Sequence, residues 1–103
     1  MNQTQEIELA KQFYDKCFDI LKKKAHDYAQ EDDCFSNFKK IASICEVPTS
    51  KVFIMFMTVK IARLVELTKK GESQTGESMQ DSCLDIANYG CLMSLYLGED
   101  YEN

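Results

Sequence analysis

One hundred and three residues, 45% hydrophobic and 28% charged, make a single domain (residues 1–103) with room for one core. A net charge of −5 excludes sequence-independent duplex binding, which needs a dense basic face. The five cysteines, Cys17, Cys34, Cys45, Cys83 and Cys91, are odd in number and show no C-x-x-C or zinc spacing, so free thiols in a reducing cytoplasm are expected.

The N-terminal segment MNQTQEIELAKQ lacks the basic start and apolar core of a signal peptide. Thr4 is read as the cap of a first helix running to about Tyr28. Its apolar positions Ile7, Ala10, Tyr14, Cys17, Phe18, Leu21 and Ala25 recur at three-four spacing. The polar break Ala29 to Asp33 precedes a short second helix striped by Phe35, Phe38, Ile41, Ala42 and Cys45. Val47-Pro48-Thr49-Ser50 stops that helix and caps the next, because the residue before Pro leaves the helical region.

The third helix, about Ser50 to Lys70, begins apolar nearly all round (Val52, Phe53, Ile54, Met55, Phe56, Met57), as expected of a helix that is buried or in an interface. Val52, Phe53, Met55, Phe56 and Met57 offer more apolar surface than a small bundle readily covers, so this start is expected to mediate association, with a dimer as the first guess. The longest apolar run, Val52 to Val59, falls far short of the roughly 20 residues that span a bilayer. Lys69-Lys70-Gly71 ends the helix with cations and a glycine. Glu72 to Gly76 reads as a hydrophilic link, and a fourth helix runs from Thr75 or Gly76 to about Leu97. The expected fold is all-α: a compact bundle of three long helices and one short one, packed as a symmetric oligomer.

Three polar groups on this frame could carry chemistry. On the fourth helix, Glu77, Asp81, Asp85 and Asn88 stand at steps of four, four and three, forming one polar column opposite the apolar or small Met79, Cys83, Ile86, Ala87, Gly90 and Cys91. Such a column is either a solvated face or a seat for a hard divalent cation. On the third helix, Lys60 and Arg63 follow the apolar start, and unpaired buried charge is costly. They either pair with Asp81 and Asp85 or hold phosphate oxygens, with Arg63 giving bidentate geometry. The third group is Lys24, His26, Asp27 and Tyr28, followed by Asn37 and Phe38 between the first two helices. It could stack and hydrogen-bond a base or ribose, or be ordinary surface and core.

The order Lys24-x-x-Asp27-Tyr28, Phe35-x-Asn37-Phe38, Val59-Lys60-x-x-Arg63-Leu64 and Glu77-Ser-x-x-Asp81-x-x-x-Asp85-Ile-Ala-Asn88-Tyr89 resembles the nucleotide modification associated domain family. That family is common in phages and related to the MazG-like all-α nucleoside triphosphate pyrophosphatases and dimeric dUTPases. The resemblance spans residues 20 to 97. It implies an oligomeric helical bundle with a nucleotide site between helices and Mg²⁺ held by acids. The chain departs from the pyrophosphatases by carrying Lys60, Arg63 and a single Glu66 where an acidic pair is expected. Fewer acids and more cations favour holding phosphates over cleaving them.

The leading expectation is therefore a phage-encoded, cytoplasmic, homo-oligomeric protein that captures a phosphorylated nucleotide, such as a host immune signal. It has no duplex nucleic acid or membrane partner. Lys60 and Arg63 take phosphates; Asp81, Asp85 and Asn88 hold the sugar and base edge or Mg²⁺. Tyr28 or Phe38 stacks the base, and Lys24, His26, Asp27, Asn37 and Tyr89 complete the ligand set. The alternative is a Mg²⁺-dependent pyrophosphohydrolase with Glu66, Glu77, Asp81 and Asp85 as metal ligands. A helical interaction module is the third class. No catalytic residue and no cofactor is fixed by the sequence, and Mg²⁺ is the one cofactor it leaves open.

Overall fold

Asn2, not Thr4, opens the first helix. Its Oδ1 accepts the Gln5 N–H at 2.8 Å while its own N–H donates to Gln5 Oε1 at 2.9 Å, a reciprocal capping box that satisfies two helix-start donors. The computed structural model describes the backbone of residues 1–27, 33–70 and 72–102, and the side chains of 1–25, 33–70 and 79–99. All its secondary structure among these residues is helical: α1 (Gln3–Asp27), α2 (Ser36–Cys45), α3 (Thr49–Lys70) and α4 (Glu72–Glu102). The expected all-α arrangement of three long helices and one short is what the chain adopts. The link expected over residues 72–76 is instead the first turn and more of α4.

Asp33 prepares α2. Its Oδ1 accepts the Phe35 N–H at 2.9 Å, its carbonyl accepts the Ser36 N–H at 3.0 Å, and its Oδ2 holds Lys39. α2 closes on Glu46, a non-glycine residue at φ 56°. Val47 N–H reaches back to Ala42 O at 3.0 Å and Glu46 N–H to Ser43 O at 3.3 Å, the double closure of a Schellman motif. The chain then turns at Pro48, and α3 leaves at 95° to α2.

The core gathers where α2, α3 and the C-terminal half of α4 meet. Phe35, Phe38, Ala42, Val52 and Phe53 are buried, with Phe56, Met57, Tyr89, Leu92, Met93 and Tyr96 packed around them. Phe38 lies stacked on Phe53 with centroids 4.3 Å apart, and Tyr96 meets Phe35 and Phe53 at 5.5 Å, distances at which aromatic pairs add to plain burial. Val52 and Phe53 are wholly enclosed. The expectation that they and their neighbours Phe56 and Met57 form an outward association surface is thus corrected: α2 and α4 cover them. Of that set only Met55 is exposed.

Among the described residues α1 is attached differently, packing along α4 and no other helix. Cys17 and Leu84 are buried there, and Asn88 Nδ2 donates to Cys17 O at 3.1 Å. Burial pushes the Cys17 thiol pKa up. Ile7, Tyr14 and Phe18, on the flank of the attached side, stay exposed.

Candidate functional site

α3 and α4 run antiparallel, and one seam between them grades from aromatic to ionic. On α3, Phe56, Lys60 and Arg63 lie one turn apart in succession; on α4, Tyr89, Asp85 and Asp81 do so in the opposite sense. Phe56 and Tyr89 meet at 5.5 Å, and Phe38 backs Phe56 at 5.6 Å. One turn on, Lys60 Nζ and Asp85 Oδ2 are 2.9 Å apart, with side chains 30% and 27% exposed. A turn further, Arg63 and Asp81 are exposed, and Arg63 forms no ion pair among the described residues. The seam offers one half-shielded charge pair, a guanidinium unpaired among the described residues and an aromatic floor.

The sequence candidates therefore separate. Lys60, Arg63, Asp81, Asp85 and Tyr89 come together on this seam. Asn88 lies at the edge of the same column on the side toward α1, and its buried amide ties α4 to α1 instead of facing the seam. Phe38 is buried in the core stack, while Asn37 beside it faces solvent, so the two do not form one surface. Lys24 is exposed in the last turns of α1. The side chains of His26 and Asp27, and Tyr28 altogether, lie outside the described residues, as does the Glu77 side chain.

Of the four acids proposed as metal ligands, the Glu77 side chain lies outside the described residues; the other three, Glu66, Asp81 and Asp85, do not gather as a donor set. Glu66 is exposed and engaged by Lys69 at 3.2 Å within α3, Asp85 by Lys60, and among the described residues no three of His, Cys, Asp or Glu come close enough to hold a metal ion.

The Asp33–Lys39 pair at the start of α2 went unnoticed in the sequence. The Lys39 ammonium first, and then the Phe35 N–H, hold the Asp33 carboxyl below its usual pKa, and Asp33 raises that of Lys39. The only signal was Asp33 two residues before an apolar stripe, an N-cap pattern hidden in a run of acids. Among the described residues no single helix is long and apolar enough to cross a membrane. Comparison of the chain with known protein families, curated proteins and solved structures finds no match.

Proposed function

We propose that the protein binds a phosphorylated nucleotide on the α3–α4 seam and holds it without cleaving it. The observation that carries this is Arg63, which has no ion pair among the described residues and lies one turn from the Lys60–Asp85 pair, with the Phe56 and Tyr89 rings one turn beyond that pair. Arg63 takes phosphate oxygens in a bidentate grip. Lys60 adds a second charge when phosphate displaces Asp85, and Asp85, once released, accepts from a sugar hydroxyl. Tyr89 offers ring and hydroxyl to the base edge. The lack of an acid cluster around the described residues favours capture over metal-assisted hydrolysis. A small oligomeric protein with this chemistry suits sequestration of a nucleotide signal, in the manner of a phage protein acting in the host cytoplasm.

The test is incubation with a panel of cyclic and linear nucleotides with and without Mg²⁺, then chromatography before and after heat denaturation. Unchanged nucleotide released by heat supports capture. New products support the pyrophosphohydrolase, and no uptake leaves a helical interaction module. Charge-assisted bonds to phosphate contribute about 1.5–3 kcal/mol each, so Arg63→Ala should weaken binding roughly ten- to hundredfold with an unchanged melting temperature. A loss of stability at unchanged affinity would overturn the assignment of Arg63.

A further inference from the structure

We infer that Cys17 of α1 and Cys91 of α4 are a redox pair whose disulfide fastens α1 to α4. The inference is independent of the nucleotide reading, because it concerns the side of α4 turned to α1 and not the α3–α4 seam.

α4 meets α1 along one stripe. Leu84 and Asn88 are buried on it, and the Asn88 amide donates to Cys17 O at 3.1 Å. Cys91 follows Asn88 by three residues, so it extends the same stripe by just under one turn. The hydrogen bond thus fixes the crossing of α1 at the backbone of one cysteine, beside the turn that carries the other. Their thiols are near enough to act on each other. Burial is the main cause of the raised Cys17 pKa; a backbone hydrogen bond opposes it, and the Cys91 sulfur adds to it.

The two thiols differ in access. All five cysteines are free; Cys17 is buried and Cys91 is exposed. The other three do not compete for Cys17. Cys34 and Cys45 flank α2, which α1 does not contact among the described residues. Cys83 leaves α4 roughly 140° round from Asn88, at about 100° per residue. Cys91 is therefore the reachable thiol and Cys17 its resolving partner. A helix held on one side opens locally at low cost. That opening gives Cys17 transient access and lets the two Cα atoms settle at the roughly 4.4–6.8 Å a disulfide requires.

Hydrogen peroxide is the oxidant. The Cys91 thiolate attacks one peroxide oxygen, giving Cys91 sulfenic acid and a hydroxide that takes up a proton and leaves as water. The Cys17 thiolate then attacks the sulfenic sulfur; the S–S bond forms and hydroxide leaves, protonated, as a second water. Two thiols and one peroxide become one disulfide and two waters, with two electrons passing from sulfur to peroxide. In a reducing cytoplasm the pair rests as thiols and the disulfide is transient. The bond closes a loop over most of the chain, where a cross-link restricts the unfolded state most. Oxidation thereby holds the most loosely attached helix in place.

The test is to treat the full chain with hydrogen peroxide and map its peptides by mass spectrometry without reduction. A Cys17–Cys91 linked peptide should form within one chain and vanish with dithiothreitol. Hydrogen exchange at the α1 amides around Cys17 should slow about tenfold or more in the oxidised chain, with α3 little changed. Cys91→Ser, at an exposed position, should abolish both effects and leave the melting temperature of the reduced chain unchanged. Cys17→Ala should also abolish the link, whereas Cys83→Ser should leave both effects in place. Oxidation of Cys91 that stops at the sulfinic acid overturns the inference, as does a link from Cys17 to another cysteine or one that only joins two chains. A Cys17–Cys91 bond that leaves α1 exchange unchanged overturns it as well.

Discussion

The two halves of the molecule hold together by different means. The corner of α2, α3 and the end of α4 is a true core, with two fully enclosed side chains and a network of ring contacts. α1 lies against one side of α4, anchored by Cys17, Leu84 and a single amide-to-carbonyl bond. A single-sided contact with exposed flanks opens locally at less cost than the core does. The two regions should therefore differ in stability, with α1 the first element to detach.

The largest effect that could break this contrast lies in the corner. Phe53→Ala removes a ring with no exposed surface, and such deletions cost about 3–5 kcal/mol, a large part of the roughly 5–15 kcal/mol available to a small domain. Urea titration should show global unfolding at much lower denaturant. A loss below 1 kcal/mol would mean the corner is not the core.

Asn88→Ala addresses the other half. Removing the tie to Cys17 O should cost about 0.5–1.5 kcal/mol. Hydrogen exchange should show the loss as faster exchange along α1, with the amides of α3 little changed. Uniform acceleration across all four helices would erase the distinction between the regions.

Glu46→Gly should strengthen the corner. A non-glycine residue in the left-handed region costs about 1–2 kcal/mol, and Glu46 sits there at φ 56°. Thermal melting should rise by a few degrees, the equivalent of roughly 0.5–1 kcal/mol after the entropy cost of glycine. A lower melting temperature would show that the Glu46 side chain outweighs the strain.

The smallest expected effect is acid sensitivity at the start of α2. The Asp33 carboxyl is held below its ordinary pKa by Lys39 and then the Phe35 N–H. Its contribution is complete above the unfolded value of about 3.9 and is lost as pH falls through the lower folded value. Amide shifts of Phe35 and Ser36 should be flat from pH 8 to 5 and move only below about pH 4, and Asp33→Asn should abolish that transition. A transition near neutral pH would point to a different titrating group.

Much of the fold was legible because helical periodicity names a buried face directly. The stripes over Phe35 to Cys45 and Val52 to Phe56 gave two helices, and Pro48 separated them. The boundaries were less legible where a cap uses side chains two residues ahead of the stripe, as Asn2 and Gln5 do, or where Gly76 and small polar residues imitate a link inside α4. The site was half legible. Steps of three and four placed Lys60 with Arg63 and Asp81 with Asp85, and the two pairs do share a seam. The packing of Asn88 and Phe38 was not legible for one reason: periodicity shows which residues share a face, not which helix that face meets. Asn88 faces α1 and Phe38 stacks on Phe53 of α3, so both are engaged in packing.

The tie between Asn88 and Cys17 joins residues 71 positions apart. During synthesis α1 leaves the ribosome well before its landing site on α4 exists. At roughly 5–20 residues per second, the delay is about 4 to 14 s. Through that interval Ile7, Tyr14 and Phe18, together with the still uncovered Cys17, are presented by a nascent helix with no partner of its own chain. The order of the elements thus makes the first-made segment wait for a late-made one, and leaves its apolar flank open to chaperones during that wait.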